Sequence, residues 1–170
     1  MIVISDTNIL SSLAAGDSIA MLRLLYKQPR LIIPPTVQKE LQSGFERGKT
    51  YLQAVLQAIA NQQIEVVSLS AEEELQTFLY PVHLDAGERE AIALAQSRKA
   101  LLLSNDGDAI RYCKQHRLLV VSLINLLRLF WIKGVLSQDE VRDLIVRMEQ
   151  VETLTLTPKA LAKIFAPDEA

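Results

Sequence analysis

Cysteine and histidine are scarce in this chain, and their scarcity removes whole classes of chemistry. Cys113 stands alone among 170 residues, so neither an intrachain disulfide nor a cysteine-ligated zinc site can form, and its place in a helical pattern marks it as a core residue. His83 and His116 are the only histidines, too few and too scattered for a zinc cluster. Aromatic residues make up 5% of the sequence, and none interleave with basic residues in the stripe that a base-stacking platform needs. Lysine and arginine total 18 against 20 acids, a net charge of -2, so nothing in the overall balance pulls the protein toward nucleic acid. The apolar runs fall far short of the ~20 residues of a membrane span. MIVISDTNIL carries no basic segment ahead of its short apolar stretch, against a secretory leader. A cytoplasmic protein without membrane attachment is expected.

What is present is a globular chain, 49% hydrophobic and 22% charged. At this length one domain buries roughly two-thirds of its unfolded surface. Short apolar runs alternate with helical patterns. MIVIS, LII, IEVVSL, ALLLS and LLVVSL are continuous rather than alternating, as suits strands covered on both faces. Between them lie TNILSSLAA, SIAMLRLLYK, TVQKELQSGF, YLQAVLQAIANQ, AEEELQTFLY, GEREAIALAQSRK and DAIRYCKQH, with apolar residues recurring at three or four. Strand–helix alternation predicts crossover units, hence a three-layer α/β/α fold on a mainly parallel, roughly five-stranded sheet. Residues 1–150 form the expected domain, and residues 151–170 a C-terminal tail with a short helix.

Open parallel sheets bind ligands in the crevice at the carboxyl ends of their strands, and acids fall there. Asp6 follows MIVIS, and Asp106 follows ALLLS, with Asp108 beyond Gly107. Each could simply cap the helix it precedes. If the two strands are neighbours, however, their carboxylates also converge, which capping does not require. Glu40 lies beside the stripe Val37, Leu41, Phe45, where an exposed glutamate would more naturally sit opposite although stripe edges are often wet, and Glu88 extends the stripe Ala91, Ile92, Ala95. Asp85 and Glu88 also have the spacing of a capping box. Glu90 points away from that stripe and is expected on the surface.

The series SDTN at 5–8, Glu40, GEREAIALA at 87–95 and SNDGD at 104–108 resembles the PIN-domain nucleases, especially VapC-like toxins and their bacterial relatives, over about residues 1–125. The resemblance implies an Mg2+- or Mn2+-dependent endoribonuclease, with an antitoxin partner if it extends to the toxins. It implies that Asp6, Glu40, Glu88 and Asp106 are the metal-binding catalytic acids, with Asp108 an accessory ligand and Asp85 a possible substitute for Glu88. Thr7, Asn8 and Ser104 would support the site. Divalent magnesium and manganese prefer hard oxygen ligands and retain water, and they relieve the repulsion among packed carboxylates. Asn105 and Ala109 depart from what many relatives carry there, though no core acid is lost.

Arg111 is a candidate phosphate contact, or equally an ion-pair partner of a site acid; Arg89 and Arg98 are more distant candidates. Two rival classes stay open. A catalytically silent PIN-like RNA-binding or scaffolding module would not need four acids. A phosphotransfer enzyme with an aspartate nucleophile usually shows two acids after the first strand, whereas here Asp6 is followed by Thr7 and Asn8. Finally, INLLRLFWIKGVL carries Leu126, Leu127, Leu129, Phe130 and Trp131 nearly all round its circumference, so part of this surface must be covered, by the helix that follows, in a homodimer or by a small antitoxin.

Overall fold

Each of the five apolar runs contributes a strand in the computed structural model, which describes residues 1–167. They are β1 (Ile2–Ser5), β2 (Arg30–Ile33), β3 (Glu65–Val66), β4 (Leu101–Leu103) and β5 (Val120–Val121). They form one sheet in the order β3-β2-β1-β4-β5, with every pairing parallel. The edge strands β3 and β5 use only two residues each of longer apolar runs, which limits the unpaired backbone a long edge would present. The chain builds outward from β1 to β2 and β3, then returns to the other side of β1 for β4 and β5. That reversal beside β1 is the switch point at which such sheets open a crevice.

Helices cover both faces, as continuously apolar strands require. Val3, Leu31, Ile33 and Leu103 point into one core layer, which includes residues of α1 (Thr7–Ala15), α3 (Pro35–Glu46), α8 (Leu123–Ile132) and α9 (Gln138–Val151). Ile4, Ile32 and Leu102 point into the other, with α6 (Ala86–Ser97) and α7 (Gly107–Gln115). The alternation along each strand is what divides the core in two. Cys113 is fully buried in the second layer. The remaining helices among the described residues are α2 (Ile19–Leu25), α4 (Gln53–Ala60), α5 (Ala71–Thr77), α10 (Pro158–Ile164) and a single 3-10 turn, Thr50–Leu52.

The apolar surplus of α8 is used inside the chain. Leu126, Leu127 and Phe130 are fully buried beneath α9 and α10, and Trp131 donates its indole N–H to the carbonyl of Ile164 at 2.8 Å. The Arg128 guanidinium lies 5.6 Å from the centre of the Trp131 ring. Ile164 is itself fully buried, so the segment expected as a tail adds to the core; its residues 168–170 lie outside the described residues. α9 packs closely on the end of α1: a β-carbon on Gly16 would stand 2.2 Å from a methyl of Leu144, so any other residue there would force that side chain to move.

Candidate functional site

The neighbouring strands β1 and β4 end abreast, and the backbone N–H of Asp6 donates to the carbonyl of Leu103 at 3.0 Å. From there both Asp6 and Asp106 act as helix caps. Asp6 Oδ1 accepts the N–H of Ile9 at 2.8 Å, and Asp106 Oδ1 accepts those of Asp108 and Ala109 at 2.8 and 2.7 Å. Capping and convergence therefore coexist. The second oxygen of Asp6 accepts the N–H of Asn105 at 3.2 Å, directly from the β4 turn. Ser104, almost completely buried, orders that turn by accepting the N–H of Asp106 at 3.3 Å.

Glu40 reaches in from α3. Thr7 donates its hydroxyl to Glu40 Oε2, so Thr7 serves the second acid as well as the turn after Asp6. The Glu40 carboxylate lies against Gly87 in the first turn of α6; a β-carbon there would stand 3.0 and 3.1 Å from its oxygens. One residue later Glu88 forms the anticipated capping box. Its carboxylate accepts the N–H of Asp85 at 2.9 Å while Asp85 Oδ1 accepts the N–H of Glu88 at 2.7 Å.

These acids share one electrostatic environment. Burial pushes the Asp6 carboxyl up to about 6 against the hydrogen bonds from Ile9, Ser104 and Asn105, and the charge of Asp85 adds to the rise. Burial also pushes Glu88 up to about 7, with the carboxylates of Asp85, Asp106 and Asp6 raising it further. Glu40 is raised by burial, then by Asp85 and Glu90. Asp6, Glu40, Asp85 and Glu88 line a cleft of about 230 Å³ whose rim includes Arg47 and Lys49. As oriented, no three acid, histidine or cysteine side chains among the described residues stand close enough to hold one metal ion. The donor set nevertheless suits a hard divalent cation: it is all carboxylate oxygen, and neighbouring carboxylates add to the raised proton affinity of Asp6, Glu40 and Glu88.

Other expected residues are used differently. Asp108 turns to Arg111, with which it forms an ion pair, and to His83, 3.6 Å away. Arg111 is thus the partner of a site-flanking acid while its side chain stays largely exposed. Arg98 is not beside the cleft; it pairs with Glu73 at 3.3 Å, tying α6 to α5. Arg89 donates to the backbone carbonyl of Asp85 at 3.3 Å. Glu90, expected on the surface, is half-buried and accepts the hydroxyl and N–H of Thr36 at 2.6 and 3.2 Å. It satisfies donors in the first turn of α3, which Pro34 and Pro35 leave without a side-chain cap. Asn8 is exposed at the cleft mouth. Arg47 and Lys49 were not among the candidate residues; the sequence offers only a basic turn, RGK, after α3.

A family model described as a PIN domain matches residues 2–167. No curated protein matches the chain. Among solved structures, one chain of VapBC2 from Rickettsia felis, bound to a DNA fragment from its promoter, is similar at 21% identity and a TM-score of 0.57. That likeness covers 72% of this chain and 98% of the other, and it is a likeness of fold. With the five-stranded parallel sheet and the acids at its switch point, the family match over nearly the whole length establishes that this chain belongs to the PIN-domain family.

Proposed function

We propose that the protein is a metal-dependent ribonuclease, the toxin type of PIN domain. The observation that carries the reading is the single cleft that Asp6, Glu40, Asp85 and Glu88 line together beside the end of β1, where Asp85, Asp106 and Asp6 each raise the proton affinity of Glu88. Helix capping accounts for each acid separately but gives no reason to assemble them at mutual electrostatic cost. Asp6, Glu40, Glu88 and Asp106 would hold Mg2+ or Mn2+, which would supply an activated water and stabilise charge on the phosphate. To take that role the Glu88 carboxylate would give up its capping-box hydrogen bond to the Asp85 N–H. Thr7 orients Glu40, Ser104 and Asn105 fix Asp6, and Arg47 and Lys49 offer positive charge to an approaching phosphate backbone. RNA as the substrate class is supported by membership of the family. An antitoxin partner is proposed from the likeness to a chain of a VapBC complex.

The test is release of fragments from labelled RNA in manganese, comparing wild type with Asp6→Asn. Loss of cleavage in the variant supports the reading. Equal cleavage by the two proteins, with contaminating nucleases excluded, refutes it. The silent RNA-binding module predicts RNA retention without fragments from either protein.

A further inference from the structure

A second groove of about 660 Å³ opens beside the acid cleft and shares Asn8, Ser11 and Lys49 with it. Its far wall is the end of α9 and the turn that follows, from Val151 to Leu154. There Glu152 occupies an electrostatically unfavourable position. It is the C-cap of α9, where the negative end of the helix dipole repels a carboxylate. The ion pairs among the described residues do not include it. Three neutral hydroxyls hold it instead: Ser11 and Tyr51 donate to Oε1, the latter at 3.2 Å, and Ser12 donates to Oε2 at 2.8 Å. Serine at 11 and 12 also places two polar side chains on a face of α1 that is otherwise core. A carboxylate held by directed hydroxyls, without a counter-cation and facing a groove, is suited to accept hydrogen bonds from a ligand.

We propose that this groove is a nucleobase subsite that selects guanine next to the cleaved phosphate. The inference rests on the nuclease reading for the identity of its ligand as single-stranded RNA. The volume suits one nucleotide, and the shared residue Lys49 can hold the phosphate between groove and cleft. Guanine alone among the four bases presents two adjacent donors, its ring N1–H and exocyclic amine, to a carboxylate. Adenine and cytosine set a ring acceptor beside their amine, and uracil flanks its N–H with carbonyls, so each brings an acceptor against the Glu152 oxygens. One acceptor position on Oε2 is left by Ser12, and guanine displaces the longer Tyr51 contact to gain the second. Single-stranded bases are commonly read in this way, on their Watson–Crick edges beside an aromatic side chain.

The test is equilibrium binding, without metal, of fluorescein-labelled pentauridylate and of the same pentamer with a central guanosine, adenosine or cytidine. Wild type is expected to bind the guanosine pentamer about tenfold tighter than the others, as for a bidentate base contact. Glu152→Gln, which replaces one acceptor by a donor, should reduce that preference to near unity. Tyr51→Phe, which keeps the ring and removes the competing hydroxyl, should preserve it. Equal affinities across the four pentamers in wild type, or no binding to any of them, would overturn the subsite, whether or not Glu152→Gln folds. Guanosine preference without cleavage in manganese would leave the subsite standing and sink the nuclease reading; manganese-dependent cleavage with equal affinities would do the reverse.

Discussion

Asp6 accepts the backbone N–H of Asn105 at 3.2 Å although 99 positions separate them in sequence. This hydrogen bond joins the turn after β1 to the turn after β4, the turns from which Asp6 and Asp106 cap their helices. Since each aspartate also caps a helix, substitution can separate the roles: asparagine and glutamine still cap, but they carry no charge.

Glu88→Gln should therefore retain the capping box and lose metal-dependent cleavage. Removing the charge also relieves repulsion from Asp85, Asp106 and Asp6, so the metal-free variant should melt no lower than wild type. Thermal melts in chelator and cleavage assays in manganese check both halves. A lower melting temperature with unchanged cleavage would make Glu88 a cap and nothing more.

The acid cluster sets a pH dependence of unusual sign. Asp6 rises from 3.8 to about 6 and Glu88 from 4.5 to about 7 on folding, so the native state binds more protons than the unfolded one between those values. Their contribution is complete below pH ~4 and is lost as pH rises through about 6 to 7. In chelator the melting temperature should thus fall from pH 5 to 7.5. With manganese the ionised carboxylates bind the ion and the trend should weaken or reverse. A metal-free melting temperature that rose over this range would contradict the cluster's electrostatics.

Gly87→Ala tests the support of Glu40. The added methyl would meet the two carboxylate oxygens at 3.0 and 3.1 Å, and these are the far end of a flexible side chain, so the fold can yield at little cost. Alanine also favours the helix over glycine by ~1 kcal/mol. Stability should change little, while cleavage falls on the order of tenfold or more because a displaced catalytic group loses its geometry. Wild-type cleavage in this variant would show that Glu40 need not occupy its observed position.

Away from the cleft, Arg98→Ala should behave in the opposite way. Burial would raise the Glu73 carboxyl, but Arg98, Ser97 and Ser70 together hold it down to about 2. Loss of the guanidinium leaves a mostly buried carboxylate with hydrogen bonds but no counter-charge, a cost of about 2 kcal/mol for a pair still partly open to solvent. Denaturant melts should register the loss, and cleavage of a short RNA should not change.

These contrasts mark what the sequence carries and what it does not. The five strands were legible because strands covered on both faces stay apolar throughout, and Asp6 and Asp106 were legible because each directly follows such a run. The edges of the sheet were overestimated, since pairing rather than hydropathy ends β3 and β5. The Glu40 contact with Gly87 joins α3 to α6, and no spacing within either helix encodes it. The ion pair of Arg98 was illegible for the same reason: its partner Glu73 sits in a different helix. The surplus on α8 was a sound signal of burial, and its cover came partly from a seven-residue helix, α10, too short to stand out by periodicity. Arg47, Lys49 and Glu152 carried no signal of their own, because each becomes part of the site only through the folding of α3 and α9 toward α1.

The most direct test of the account is to measure manganese-dependent RNA cleavage and metal-free melting temperature together for Asp6→Asn and for Asp6→Asn with Asp106→Asn. If the acids act as one catalytic unit, the single change should lower cleavage at least ~100-fold and the second should cost little more. Neither change should lower the metal-free melting temperature, because asparagine caps both helices and the repulsion is relieved. Cleavage by Asp6→Asn at the wild-type rate would contradict the account and leave these carboxylates as helix caps alone.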